Sequence, residues 1–302
     1  MADAVPPLEG APDSPLTDPA AATDAERRER ARSAARWLNT ERHALYASVR
    51  LAHSLGLDTE TWALCEPLWT HFLDHPHPAD DIEVFGLDVA AAGRAGNLRA
   101  LVRMRCQLAR PLWEQGRTDE AAQELARALA TLDTLGESTR TSKLRASAIE
   151  FRGTLHAVQG DWAAAAEDFR RSRDVHHTIS NTYGVTLQTY RLGQATAELG
   201  DVAEAAQLLA QAHRSAVELG RERLTGRIGF ALGGALRGLG RTGEARVLYD
   251  DALTSARGRG SDADEQRILD AFAELADEEG HFDEAGAHRA AAYAIRVRNG
   301  LA

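Results

Sequence analysis

Five glycines punctuate the chain at nearly constant intervals. Gly116, Gly160, Gly200, Gly240 and Gly280 close the segments "EQG", "VQG", "ELG", "GLG" and "EEG", with spacings of 44, 40, 40 and 40 residues. A fixed period in this range requires an array of like units stacked on one another, and it outranks other clues to the fold. Small residues keep register around each glycine. Seven positions before it stand Ala109, Gly153, Gly193, Gly233 and Ala273. Five positions after it Ala recurs in every copy, and twelve after it stand Ala128, Ser172, Ala212, Ala252 and Ala292. Glycine ends a helix by taking the left-handed conformation that other residues resist. Small side chains at fixed points let two antiparallel helices pack at the short end of the ~8–10 Å range. The repeating unit is therefore a helix pair.

Composition agrees with an all-α chain. Aromatic residues are only 6% of the 302, and Ala, Leu, Arg and Glu, the leading helix formers, are abundant. Acidic residues number 45 against 35 basic ones, for a formal charge of −10, and only one of the 35 is a lysine, Lys143. This balance argues against nucleic acid as a partner, since phosphate binding draws on Lys and Arg. The arginine bias reads as a GC-rich coding bias. Cys65 and Cys106 form no paired motif and suit a reducing compartment. The first residues carry prolines and acids where a signal peptide has an apolar run, and no stretch approaches the ~20 apolar residues of a membrane span. The expectation is a cytoplasmic protein that neither enters nor binds a membrane.

Residues 1–23, rich in Pro, Ala and Asp, are expected to form a disordered tail. Residues 24–97 read as degenerate helical repeats, with a helix ending near Leu38, a Thr40 cap, a helix kinked at Pro67 and another over 80–97. Residues 98–298 hold the five regular copies. In the last, Arg289 stands where the others carry Leu125, Phe169, Leu209 and Tyr249, as suits a terminal capping repeat.

Motifs that carry chemistry find little support. "GLGRTG" (238–243) fits the dinucleotide fingerprint G-x-G-x-x-G, but that motif works only between a strand and a helix. Here its glycines follow the repeat register. No P-loop lysine is present. "HFLDHPH" places His71, His75 and His77 near one another beside helix-breaking prolines, with too few converging ligands for zinc. His176 and His177 are adjacent and diverge around a helix. No nucleophile elbow occurs, and Asp277, Glu278 and Glu279 read as a solvated face. No enzyme, metal or cofactor is expected.

The small-residue pattern at 98–298 resembles the tetratricopeptide repeat (TPR), with its period lengthened from about 34 to 40 residues. The resemblance implies a right-handed α-solenoid of antiparallel helix pairs, about 14 helices with the N-terminal segments included. The order "WLNTERHALYASV" followed by "AAAGRAGN" resembles the sensor region of actinobacterial signal-transducing ATPases and antibiotic-pathway regulators. Copying the TPR register assigns the concave groove to Arg103, Arg110 and Trp113, then Glu150 and Thr154, Tyr190 and Gln194, Arg227, Phe230 and Arg237, and finally Arg267. The same register adds Cys106, Ser147, Leu187 and Asp270. Arginines and aromatics of this kind suit an acidic or C-terminal peptide. Against that stands the plainer reading that the arginines pair with neighbouring acids. The resemblance thus implies a non-enzymatic, peptide- or protein-binding adaptor or regulator, for which a homo-oligomer is admissible. A small-molecule sensor, or a scaffold subunit serving a separately encoded ATPase, is the alternative.

Overall fold

The structure, a computed structural model, describes residues 40–69 and 77–298, preceded by Arg30, Ser33, Ala34, Trp37 and Leu38. The expected tail at 1–23, and His71 and His75, lie outside the described residues. Thirteen helices and no strand occur among the described residues. They are α1 (Arg42–Ser54), α2 (Asp58–Cys65), α3 (Pro78–Arg94), α4 (Leu98–Glu114), α5 (Thr118–Asp133), α6 (Thr139–Val158) and α7 (Trp162–Thr178). There follow α8 (Thr182–Glu198), α9 (Val202–Glu218), α10 (Glu222–Gly238), α11 (Thr242–Arg259), α12 (Asp262–Glu278) and α13 (Phe282–Arg298). Each helix from α3 onward packs on its chain neighbour, so the molecule is an all-α solenoid of TPR-like helix pairs.

Turn chemistry explains the regularity. At Gly200 (φ +93°) the Gly200 N–H bonds Ala197 O and the Asp201 N–H bonds Thr196 O, the double closure of a Schellman turn. Asp201, having closed α8, then caps α9 by accepting the Glu204 N–H at 3.0 Å. Asn97, Asp161 and Asn181 do the same for α4, α7 and α8. Three of the four turns between these pairs use the same device, at Ser180, Gly220 and Gly260. The backbone period from α6 onward is therefore about 20 residues, half of what the sequence register showed.

The small positions are where the pairs lock. A Cβ at Gly153 would meet Phe169 at 2.9 Å, at Gly193 Leu209 at 2.8 Å, and at Gly233 Tyr249 at 2.6 Å. Each glycine is thus the hole for the large residue on the following helix.

Two features at the N-terminal side differ from expectation. Thr40 is itself helical, and α1 begins at Arg42 with Glu41 at its N-cap, rather than on a Thr40 cap. The helix expected to kink at Pro67 instead stops at Cys65, because proline has no N–H to continue the ladder. These helices join the stack: Tyr46, Val49, Cys65, Val84 and Phe85 share one core with Val102, Leu112 and Leu125. Within that core two acids of α3 are buried. Asp81 accepts from the Tyr46 hydroxyl at 2.8 Å, and burial pushes its carboxyl up to about 6. Asp88, fully buried, is pushed by burial up to about 7, with the Cys65 thiol beside it countering only part of the rise.

One junction breaks the period. The segment 134–138 has five residues where most linkers between these helices have three, and α6 has 20 residues where α4 and α7 have 17. Gly136 does not take a positive φ, and the chain enters α6 through an extended Ser138 (φ −165°) whose hydroxyl caps Thr141 N–H. The 44-residue spacing read in the sequence is thus an added turn at the start of α6.

Candidate functional site

The first helices of successive pairs also meet directly, α4 with α6, α8 with α10 and α10 with α12. Closer spacing on that side curls the stack toward it, so these helices form the inner face. Two recesses open there.

The larger, about 700 Å³, lies between α4 and α6. Trp69, Leu144 and Phe151 form its apolar part, with the Trp69 and Phe151 rings 5.8 Å apart. Arg99, Arg103, Arg140 and Lys143 line it, and no carboxylate does. Arg103 is ion-paired with Glu66. Arg99, Arg140 and Lys143 form no ion pair or hydrogen bond among the described residues and are exposed at the rim. Gln107 also lines the cleft and is only 6% exposed, with no hydrogen-bond partner for its Oε1. The chain's only lysine is therefore at this site.

The smaller recess, about 90 Å³, is formed by α8, α10 and α12 with the end of α11. Tyr190, Gln194, Phe230 and three arginines surround Asp264 there. Arg227 Nε reaches the Asp264 carboxylate at 3.0 Å and Arg259 Nη2 at 2.9 Å, and Arg267 bonds its other oxygen. Burial alone would raise this carboxyl, but the guanidiniums hold it well below the usual carboxylate range.

The structure gathers the residues assigned to the groove from the register unevenly. Tyr190, Gln194, Arg227, Phe230 and Arg267 meet in the small recess, while Arg103, Cys106 and Ser147 reach the large cleft. Arg110 and Trp113 sit beyond it. Arg110 bonds Glu114 at 2.6 Å and stacks over Trp69, and Trp113 is buried against Phe151. Glu150 accepts from Gln188 at 2.8 Å and its carboxyl is raised by burial, with Arg191 and Gln188 opposing. The Thr154 hydroxyl donates to the Glu150 carbonyl. Arg237 pairs with Glu274 at 2.8 Å and Glu278 at 3.3 Å. All five register arginines thus have carboxylate partners within the chain, which is the plainer reading of that group. The register missed Arg99, Gln107, Arg140 and Lys143. For Arg140 the signal was the 44-residue spacing, which marks the added turn that carries it; Arg99 and Gln107, in the regular helix α4, had none.

The other motifs fall into structural roles. "GLGRTG" forms the α10–α11 turn, with Gly240 at φ +74°. His77 Nε2 lies 2.7 Å from Arg42 Nη1, and no group of three metal-ligating side chains occurs among the described residues. No described helix is long and apolar enough to cross a membrane.

No protein-family model matches the chain, and no curated protein matches it by sequence. Solved structures match it by fold. A Rap protein complexed with competence and sporulation factor superposes with a TM-score of 0.65 at 14% identity, covering 92% of this chain and 77% of that one. The Rap conjugation gene regulator of plasmid pLS20, in complex with the Phr* peptide, gives 0.57 at 13% identity over 95% and 80%. A signal-transduction ATPase with numerous domains and a tetratricopeptide repeat sensor, from Pyrococcus horikoshii, gives 0.63 at 12% identity over 92% of this chain and 41% of that one. At such identities the likeness is one of fold: the chain is a TPR-like solenoid.

Proposed function

We propose that the chain is a non-enzymatic regulator or adaptor that receives a peptide or protein segment along its inner face. Residues 98–298 act as a five-repeat receptor whose last repeat is a cap, and residues 24–97 extend the stack at the other end. The observation that carries this reading is that both recesses are lined chiefly by the first helices of the pairs, so they open on one side. Their linings mix aromatics, arginines and amides, the side chains that concentrate binding energy at interfaces. Two structures of like fold hold a factor or a peptide, which makes the same use of this face a natural hypothesis. Fold alone does not fix function, so the test is made at the site.

Peptides selected on the chain from a displayed random library provide that test. Gln194→Glu/Arg267→Glu changes two side chains of the small recess and gives up the most exposed of the three Asp264 ion pairs, leaving those of Arg227 and Arg259 in place. Selected peptides should lose at least about tenfold in affinity, or about 1.4 kcal/mol. Unchanged binding by this variant, or selected peptides seated on the outer helices, would overturn the reading.

A further inference from the structure

The cleft between α4 and α6 has a composition that the small recess lacks. Arg99, Arg140 and Lys143 stand around one opening without a carboxylate among the lining residues. Like charges placed together repel, and nothing described in the fold offsets them there. Elsewhere among the described residues the arginines are largely paired; of the others in α4–α13 without an ion pair or hydrogen bond, Arg191 and Arg221 lie over the Tyr190 and Tyr183 rings, and Arg171 and Arg214 are exposed on the outer helices α7 and α9. Beneath the cations lies an apolar floor of Trp69, Leu144 and Phe151. Gln107 adds a buried acceptor, and a buried amide without a partner costs free energy until something bonds it. A volume of about 700 Å³ is in the range of small-ligand sites.

We infer that this cleft binds an organic anion: a carboxylate, phosphate or sulfonate on an aromatic or aliphatic body that also carries an N–H or O–H donor. The anion lies among Arg99, Arg140 and Lys143, where guanidiniums bond it in pairs and the ammonium adds a point charge. The body covers Trp69, Leu144 and Phe151, and the donor meets Gln107. The added turn of α6 creates the site, because it brings Arg140 to the rim. The inference takes from the proposed function only the use of the inner face. The anion's source is either a free small molecule or an acidic group of a bound peptide.

The probe is 8-anilinonaphthalene-1-sulfonate, which has the sulfonate, the aromatic body and an N–H. N-phenyl-1-naphthylamine is its neutral counterpart. The full chain is expected to bind one sulfonate probe saturably, read by probe fluorescence and calorimetry. Arg140→Glu/Lys143→Glu should weaken the sulfonate probe at least tenfold and leave the neutral probe unchanged. Arg171→Glu/Arg214→Glu, an equal charge reversal on the outer helices, should change neither. Arg99→Ser serves as a milder variant with a loss of a few fold. Equal loss from both double reversals, or equal affinity for the two probes, would overturn the assignment. Displacement of the sulfonate probe by indole-3-acetate assigns a free small anion, and displacement only by an acidic dodecapeptide assigns a peptide. Displacement by neither contradicts an organic carboxylate in the cleft. If library selection yields no peptide while the sulfonate probe still discriminates the variants, the peptide reading falls and this one stands.

Discussion

In the recess formed by α8, α10 and α12, three arginines converge on Asp264; in the cleft between α4 and α6, Arg99, Arg140 and Lys143 converge on no carboxylate. The two places use the same inner face and the same kind of helix. They differ in register. Where helices of 17 and 18 residues follow one another through short linkers, packing is tight, the recess shrinks to about 90 Å³ and the charges are neutralised internally. Where five linker residues and a 20-residue helix interrupt that rhythm, a cleft of about 700 Å³ opens with its cations unspent. Regularity builds scaffold, and the interruption leaves room for a ligand.

The largest effect should come from removing the carboxylate that settles the regular recess. Asp264→Asn removes the buried carboxylate that Arg227, Arg259 and Arg267 share and should cost about 3 kcal/mol. Because the native carboxyl is held below its unfolded value, its contribution is present above about pH 4 and is lost as pH falls. Urea unfolding at pH 7 reads the loss, and a cost below about 1 kcal/mol would erase the contrast between the two recesses.

Asp88 supplies the opposite sign. Its carboxyl is raised to about 7 in the folded chain, so stability falls as pH rises from about 4 to 7 and is level above that. Asp88→Asn should flatten this slope, which is up to about 1.4 kcal/mol per pH unit, and raise stability at pH 8. Thermal melts at pH 5 and pH 8 would show it, and an unaltered slope would remove Asp88 as its source.

Gly233→Ala probes the tightness of the regular part. The new methyl would meet the Tyr249 ring at 2.6 Å, and the overpacking should cost about 1–2 kcal/mol despite alanine's better helix propensity. A gain in melting temperature would mean that Tyr249 yields easily. Asp201→Ala removes one cap and should cost about 1 kcal/mol by chemical denaturation. The smallest change is expected at the cleft itself. Arg140→Glu/Lys143→Glu breaks no ion pair described in the fold, so stability should stay within about 0.5 kcal/mol of the parent chain while anion binding is lost.

Much of this architecture was legible in the sequence, because helix pairs must approach through small residues and those residues recur. Gly153, Gly193 and Gly233 could be read as contact points before their partners Phe169, Leu209 and Tyr249 were seen against them. The 20-residue rhythm was hidden, since Ser180 stands in one turn where Gly220 and Gly260 stand in others. The groove register placed Arg227, Phe230 and Arg267 together because that part of the chain keeps its period. It could not find Arg140, which lies in the lengthened junction ahead of the second copy's register. Nor could it foresee Trp69, which reaches α6 from a stretch 82 residues before Phe151 in the chain and outside the repeat pattern. Ion pairing was open as the plainer reading, but its partners were not legible: the five arginines chosen as ligand contacts are held by the chain's own acids, three of them by carboxylates more than 35 residues away.

The most direct test of the central claim, that the interrupted junction is the ligand site, is a crystal of the full chain soaked in 4-bromobenzoate and measured at the bromine edge. An anomalous peak is expected over Trp69 and Phe151, with the carboxylate toward Arg99, Arg140 and Lys143. An empty cleft with bromine seated in the α8–α10–α12 recess, or on the outer helices, would contradict it.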